Sequence, residues 1–148
     1  MLSTLRRLAN LTLVERALLL QLTALSLGLR VALTTITLPR LTSLLSHIAV
    51  SPLLSQVPIF HTRCTVDRLF TLIDLATAVS HRNGRCLPRS LLLFWLFRAR
   101  HEPVELCLGV IKNRTTLEGH AWVERDGIVL GDTVSFTSRY ALFLRLSS

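Results

Sequence analysis

With 148 residues, half of them hydrophobic and only 18% charged, the chain suits one domain with a real core and leaves little room for long disorder. The formal net charge of +8 rests on sixteen arginines and a single lysine, Lys112, scattered singly apart from Arg6-Arg7. No run alternates Arg with aromatics, so the charge does not point to a nucleic-acid partner. Three cysteines, Cys64, Cys86 and Cys107, form no CxxC pair. An odd count without a signal-peptide pattern argues for a reducing, cytoplasmic setting and against a disulfide framework or a zinc site.

From Leu11 to Leu38 the chain is rich in Leu and nearly free of charge. The apolar run Ala17 to Leu29 is thirteen residues long before Arg30 interrupts it. A spanning helix needs about 20 apolar residues and pays roughly 2.5–3.5 kcal/mol for a central Arg. Leu11, Leu18, Leu22, Leu25, Leu29 and Leu33 instead trace one helical stripe, so an amphipathic helix ending before Pro39 is expected. Membrane association is the less favoured use of this helix. Leu13, Leu19, Leu20 and Leu27 lie off the stripe, as further packing or as a patch for a partner. Pro39, Pro52 and Pro58 then punctuate a segment expected to be loop with short helical pieces. That segment divides the chain into a helical N-terminal extension, residues 1–60, and a catalytic domain, residues 61–148.

Val66, Leu69, Phe70, Ile73, Leu75, Ala76 and Val79 give the helical period from about Thr65 to Arg82, with Thr65 as N-cap and Asn83-Gly84 as the stop. Cys64, just ahead, is most simply a small buried hydrophobe. Pro88 is tolerated only in a first turn, so the next helix starts close to Cys86 and runs to about Arg98. Unpaired N–H groups and the helix dipole lower a thiol pKa there and can hold an oxyanion. Leu91 to Phe97 is apolar all round, which marks the buried central helix. Position alone weighs a catalytic and a packing role for Cys86 about evenly.

Beyond His101-Glu102-Pro103 the pattern turns to strands: Val104 to Ile111 with an inert Cys107, a polar loop Lys112 to Gly119, then Gly119 to Glu124 and Ile128 to Thr133. Arg125-Asp126-Gly127 joins the last two as a hairpin. A two-residue turn pairs Arg125 with Ile128 and puts His120 and Asp132 on opposite faces. A three-residue loop pairs Glu124 with Ile128, and so His120 directly with Asp132, which is the register expected here. Asp132 would then orient His120, and His120 would take the proton from Cys86. Trp122 lies on the His120 face opposite Leu130, walling a pocket or filling the core.

Cys86-Leu87-Pro88-Arg89-Ser90-Leu91, Leu108-Gly109-Val110, Gly119-His120-Ala121-Trp122-Val123-Glu124 and Gly131-Asp132, in that order, resemble the lasso peptide B2 proteins. These are transglutaminase-like leader peptidases of bacterial lasso peptide biosynthesis. The resemblance covers roughly Arg63 to the C-terminus, and more weakly the leucine-rich extension. It implies an α+β, transglutaminase-like or papain-like fold, with the central helix packed on a small antiparallel sheet. It also implies a Cys-His-Asp protease that cuts a leader from a precursor peptide, after which a separate cyclase closes the ring. The chain resembles the split form, whose leader recognition comes from a separate small protein. Where relatives tend to have Gly after the central helix, this chain has Arg100-His101-Glu102-Pro103. An acyltransferase with an amine acceptor, or a non-catalytic membrane-associated scaffold, are the alternatives. No metal, nucleotide or other cofactor is expected, since no Gly-rich phosphate loop is present.

Overall fold

A computed structural model describes residues 11–49, 65–80, 84–113 and 115–147. The calls on Cys64, Pro52, Pro58 and Asn83 lie outside the described residues. Among these residues five helices, α1 (Leu13–Thr35), α2 (Leu38–Ala49), α3 (Val66–Ser80), α4 (Cys86–Ala99) and α5 (Val134–Thr137), accompany four strands, β1 (Glu105–Asn113), β2 (Thr116–Arg125), β3 (Ile128–Leu130) and β4 (Ala141–Leu146). The strands form one antiparallel sheet in the order β3-β2-β1-β4. The fold is α+β.

Helix α1 starts at a capping box: the Thr12 hydroxyl accepts from the Glu15 N–H at 3.2 Å, and Glu15 accepts from the Thr12 N–H at 2.8 Å. Glu15 also binds Arg68 of α3 at 2.5 Å, which ties the two helices together. That hydrogen bond, with the Thr12 backbone bond behind it, holds the Glu15 carboxyl down at about 2. Of the expected stripe, Leu11, Leu18, Leu22 and Leu29 are buried, and Leu25 and Leu33 pack against the same core. Leu13, Leu20 and Leu27 are exposed, while Leu19 is partly buried. By length and composition α1 could cross a membrane. Here one face of it lies along α3 and α4. Of the segment expected to be loop with short helical pieces, the part up to Ala49 is one helix, α2, and Pro39 fits its first turn, where a missing N–H costs nothing.

Helix α4 is the centre of the molecule. Leu91, Leu92, Leu93, Phe94, Trp95, Leu96 and Phe97 are all buried, covered by α1, α2 and α3 and by the sheet. At its far end the N–H of Glu102 bonds the Phe97 carbonyl at 3.0 Å and that of His101 bonds Arg98 at 2.9 Å. This is a Schellman cap, and His101 takes its left-handed position with φ 59°. His101 fills the position that glycine most often takes in such a cap, since histidine tolerates that conformation better than most side chains.

Three strand boundaries differ from expectation by two residues or more. Residues 112–119 are not a polar loop: β1 runs through Asn113 and β2 begins at Thr116. Lys112 pairs with Leu117 and Ile111 with Glu118 in a part of the hairpin that projects past the core. Backbone pairing extends it there without an apolar pattern to announce it. Ile128 to Thr133 is likewise shorter, since β3 stops at Leu130.

Replacing His101 by Gly should relieve the left-handed strain and stabilise the fold by about 0.5–1 kcal/mol. A denaturant midpoint that falls instead of rising would contradict this account of the cap.

Candidate active site

Pro88 is buried in the first turn of α4, and the helix begins at Cys86. Proline lacks an N–H and the Arg89 N–H is taken by the Arg85 carbonyl at 3.1 Å, while the Leu87 N–H bonds the Cys86 sulfur. The next two side chains fasten the helix to the sheet. The buried Ser90 hydroxyl donates to the Ala121 carbonyl at 2.8 Å. Arg89 donates from Nε to Asp74 of α3 at 2.5 Å, and from Nη2 to the Gly131 carbonyl just past β3.

The β2–β3 register is the even one. Arg125 pairs with Ile128, Glu124 with Val129 and Val123 with Leu130. Asp126 and Gly127 form the two-residue turn, with φ of 51° and 77°, both positive as a type I′ turn requires. The three-residue loop is thus overturned, and Trp122 does not face Leu130. A β3 continued in this register would carry Asp132 to the face opposite His120. It does not continue. Gly131 takes φ 69°, the strand ends, and the chain turns Asp132 back, so that His120 Nε2 lies 2.7 Å from Asp132 Oδ2. A Cβ on Gly131 would stand 2.8 Å from the Phe70 ring.

Ending β3 at Leu130 has a second effect. Along β2 the N–H and C=O groups of every other residue face β3, and the phase set by Arg125 and Val123 includes Ala121. With no strand beside it, Ala121 gives its carbonyl to Ser90 and its N–H to the Cys86 sulfur. The His120 imidazole also hydrogen-bonds this sulfur. With Nε2 engaged by Asp132, Nδ1 is the ring atom left for the thiol.

The electrostatics follow from these contacts. The His120 hydrogen bond lowers the Cys86 thiol below its usual value, against the opposing effect of burial and with help from the Ala121 and Leu87 N–H groups. Burial alone would pull His120 down. The hydrogen bonds to Cys86 and Asp132 outweigh it, and the imidazole ends above its usual value. Cys107 shows the contrast: fully buried, its thiol is pushed up to about 12 chiefly by desolvation, which fits the expectation that it is inert.

Trp122 is buried and stacks beside His120, with ring centroids 6.0 Å apart, while its indole N–H donates to Glu124 at 2.7 Å. Phe136 meets the His120 ring edge-on at 5.0 Å and Tyr140 lies at 5.1 Å. Gly109 pairs directly with His120, and a Cβ there would come within 2.9 Å of both Tyr140 and Trp122. Sequence reasoning missed Phe136, Tyr140 and the fastening roles of Arg89 and Ser90. The aromatics sit on a four-residue helix and the turn after it, too short for any periodicity to find them. Arg89 and Ser90 stood in plain view, three and four residues after Cys86.

Residues 25–145 match the transglutaminase-like superfamily, so the chain belongs to it. Its members are usually cysteine-based enzymes, which fits a cysteine peptidase or acyltransferase in general. No curated protein and no solved structure matches the chain.

Two outcomes follow from this geometry. Iodoacetamide should alkylate Cys86 with a rate that rises through a pKa below the usual 9.0, while Cys107 stays unmodified near neutral pH. In His120→Ala the Cys86 profile should move to higher pH; peptide mapping that finds the same profile in both proteins would refute the coupling. Gly131→Ala should cost about 1–3 kcal/mol of stability, from left-handed strain and the encounter with Phe70, measurable as a lowered denaturant midpoint.

Proposed function

We propose that the protein is a cysteine peptidase in which Cys86 is the nucleophile, His120 the proton carrier and Asp132 the group that orients it. The observation that carries the reading is a thiol at the start of a buried helix, hydrogen-bonded to an imidazole whose other nitrogen lies 2.7 Å from a carboxylate. In this reading His120 Nδ1 takes the thiol proton and the thiolate attacks the scissile carbonyl carbon. The N–H groups at the start of α4 and of Ala121 are the donors nearest the sulfur, suited to the oxygen that gains charge. The imidazolium returns its proton to the leaving amine as the C–N bond breaks, which leaves a thioester on Cys86. Water, deprotonated by His120, then attacks the thioester and frees the carboxylic acid and the thiol.

The proposed substrate is the leader of a ribosomally made lasso peptide precursor, cut so that a separate cyclase can join the freed amine to an acidic side chain. What supports this is the run of residues from Cys86 to Ser90, from Gly119 to Glu124, and at Gly131-Asp132. Each now has a physical task beside the sulfur: Pro88 places the helix start, Arg89 and Ser90 grip the two strand segments, and Gly131 turns Asp132 inward. A separate small protein would present the leader, and the work would take place in the bacterial cytoplasm. Trp122, buried against His120, serves this reading as a wall that steadies the ring rather than as an open substrate contact.

Incubation with precursor and recognition protein, followed by mass spectrometry, tests it. The expected result is a free leader and a core peptide with a free amine. Cys86→Ala should abolish cleavage, His120→Ala should lower it roughly 10²- to 10⁴-fold, and Asp132→Asn should lower kcat with the fold intact. A product joined to an amine rather than to water would establish the acyltransferase instead, and undiminished cleavage by Cys86→Ala would remove the mechanism.

A further inference from the structure

At the end of α4 remote from Cys86 a cavity of about 450 Å³ opens between α2, Arg98 and the end of β4. Cys86 and Arg98 are twelve residues apart on this helix, about 18 Å along its axis at ~1.5 Å per residue. The cavity is therefore separate from the site described above. Its walls carry the hydroxyls of Thr42, Ser43, Ser46 and Ser147, the imidazole of His47 and the guanidinium of Arg98, with Pro39 and Leu146 as apolar surface. Among the described residues no Asp or Glu lines it.

Two of these groups are unsatisfied in the same place. The Ser46 hydroxyl is buried without a hydrogen-bond partner, on a residue only 8% exposed, and Arg98 Nε is buried without one as well. Arg98 takes part in none of the ion pairs formed among the described residues. Thr42 and His47 are already turned inward on their own helix: the Thr42 hydroxyl donates to the Pro39 carbonyl at 3.0 Å, and His47 Nδ1 donates to the Ser43 carbonyl at 2.8 Å. Buried polar atoms are nearly always partnered, and a charged N–H without an acceptor is the costliest exception. An adjoining hollow shares Pro39, Ser43 and His47 and adds Arg40, so the approach is basic too.

We propose that this cavity binds an oxyanion, a carboxylate or phosphate group carried by a small molecule or by an acidic peptide, with Arg98 and Ser46 as its principal donors. A guanidinium and a hydroxyl on one cavity, with no Asp or Glu among its described lining residues, are the complement of a group that has two or more acceptor oxygens. The volume exceeds that of the anion alone and lies in the range of small-ligand sites, which leaves room for the body that carries it.

The full chain would be titrated with inorganic phosphate, with succinate and with a capped Gly-Glu-Gly peptide at constant ionic strength. Thermal midpoint and calorimetric affinity are the readouts. At least one probe should raise the midpoint saturably, and the one that does so assigns the source: phosphate, free carboxylate or acidic peptide. Ser46→Ala and Arg98→Gln should each weaken that probe about tenfold or more. Ser46→Ala should leave the unliganded midpoint unchanged or raised, because it deletes an unpartnered hydroxyl, so it remains informative if Arg98→Gln does not fold. Cys86→Ala should bind as the parent does, which keeps the outcome independent of the peptidase reading. No saturable response to any probe, or an undiminished one in Ser46→Ala, overturns the proposal.

Discussion

A helix that is apolar on every side cannot meet water anywhere along its length, and α4 is such a helix. From Leu91 to Phe97 each residue needs cover, and the rest of the chain supplies it: the striped faces of α1 and α3, the face of α2 that carries Leu41 and Leu45, and the sheet. At ~25 cal/mol per Å² of apolar surface removed from water, this burial is the dominant favourable contribution to the fold. It also fixes the site. Only the two ends of such a helix can reach solvent, so a reactive group on α4 must lie near one of them.

The end that carries Cys86 is joined to the sheet by a strand that stops early. Had β3 kept pairing past Leu130, its backbone would occupy the Ala121 N–H and C=O, and Asp132 would project from the wrong face. Gly131 ends the pairing, Arg89 holds the resulting turn by its carbonyl, and Ser90 takes the Ala121 carbonyl. One interruption thus frees a donor for the thiol and delivers a carboxylate to the imidazole. Within the run from Cys86 to Ser90, the sulfur, Arg89 and Ser90 all meet the chain around this interruption.

The two cysteines of known surroundings show how far environment decides thiol character. Cys86 has an imidazole and backbone donors around it, and its thiol is lowered. Cys107 lies within the sheet, fully buried, with the Glu124 carboxylate adding to the desolvation, and its thiol is raised. The same side chain is shifted in opposite directions in a single domain, by an imidazole and backbone N–H groups in one place and by burial beside a carboxylate in the other.

Local rules were enough for the elements with strong periodicity or a hard stop. The stripe of α1, the burial of α4 and the start of α4 at Cys86 all follow from side-chain period and from a proline that fits one turn only. The box from Thr12 to Glu15 went unread, although its two side chains lie three residues apart. The hairpin turn was legible as Asp-Gly, but its register was not: the three-residue loop that would set His120 against Asp132 is absent. Both turns are compatible with the local residues, and pairing of Val123 with Leu130, which lies in the core beneath α4, chose between them. His120 and Asp132 meet nonetheless, through a left-handed Gly131 packed against Phe70 and held by Arg89, partners 61 and 42 residues away in the chain. Sequence by itself determined where the central helix begins and marked Cys86, His120 and Asp132 as candidates, because a helix start depends on neighbours within a turn and the candidates on residue type. Tertiary structure alone decided how they come together, because the contacts that end β3 and turn Asp132 inward join segments no local pattern connects.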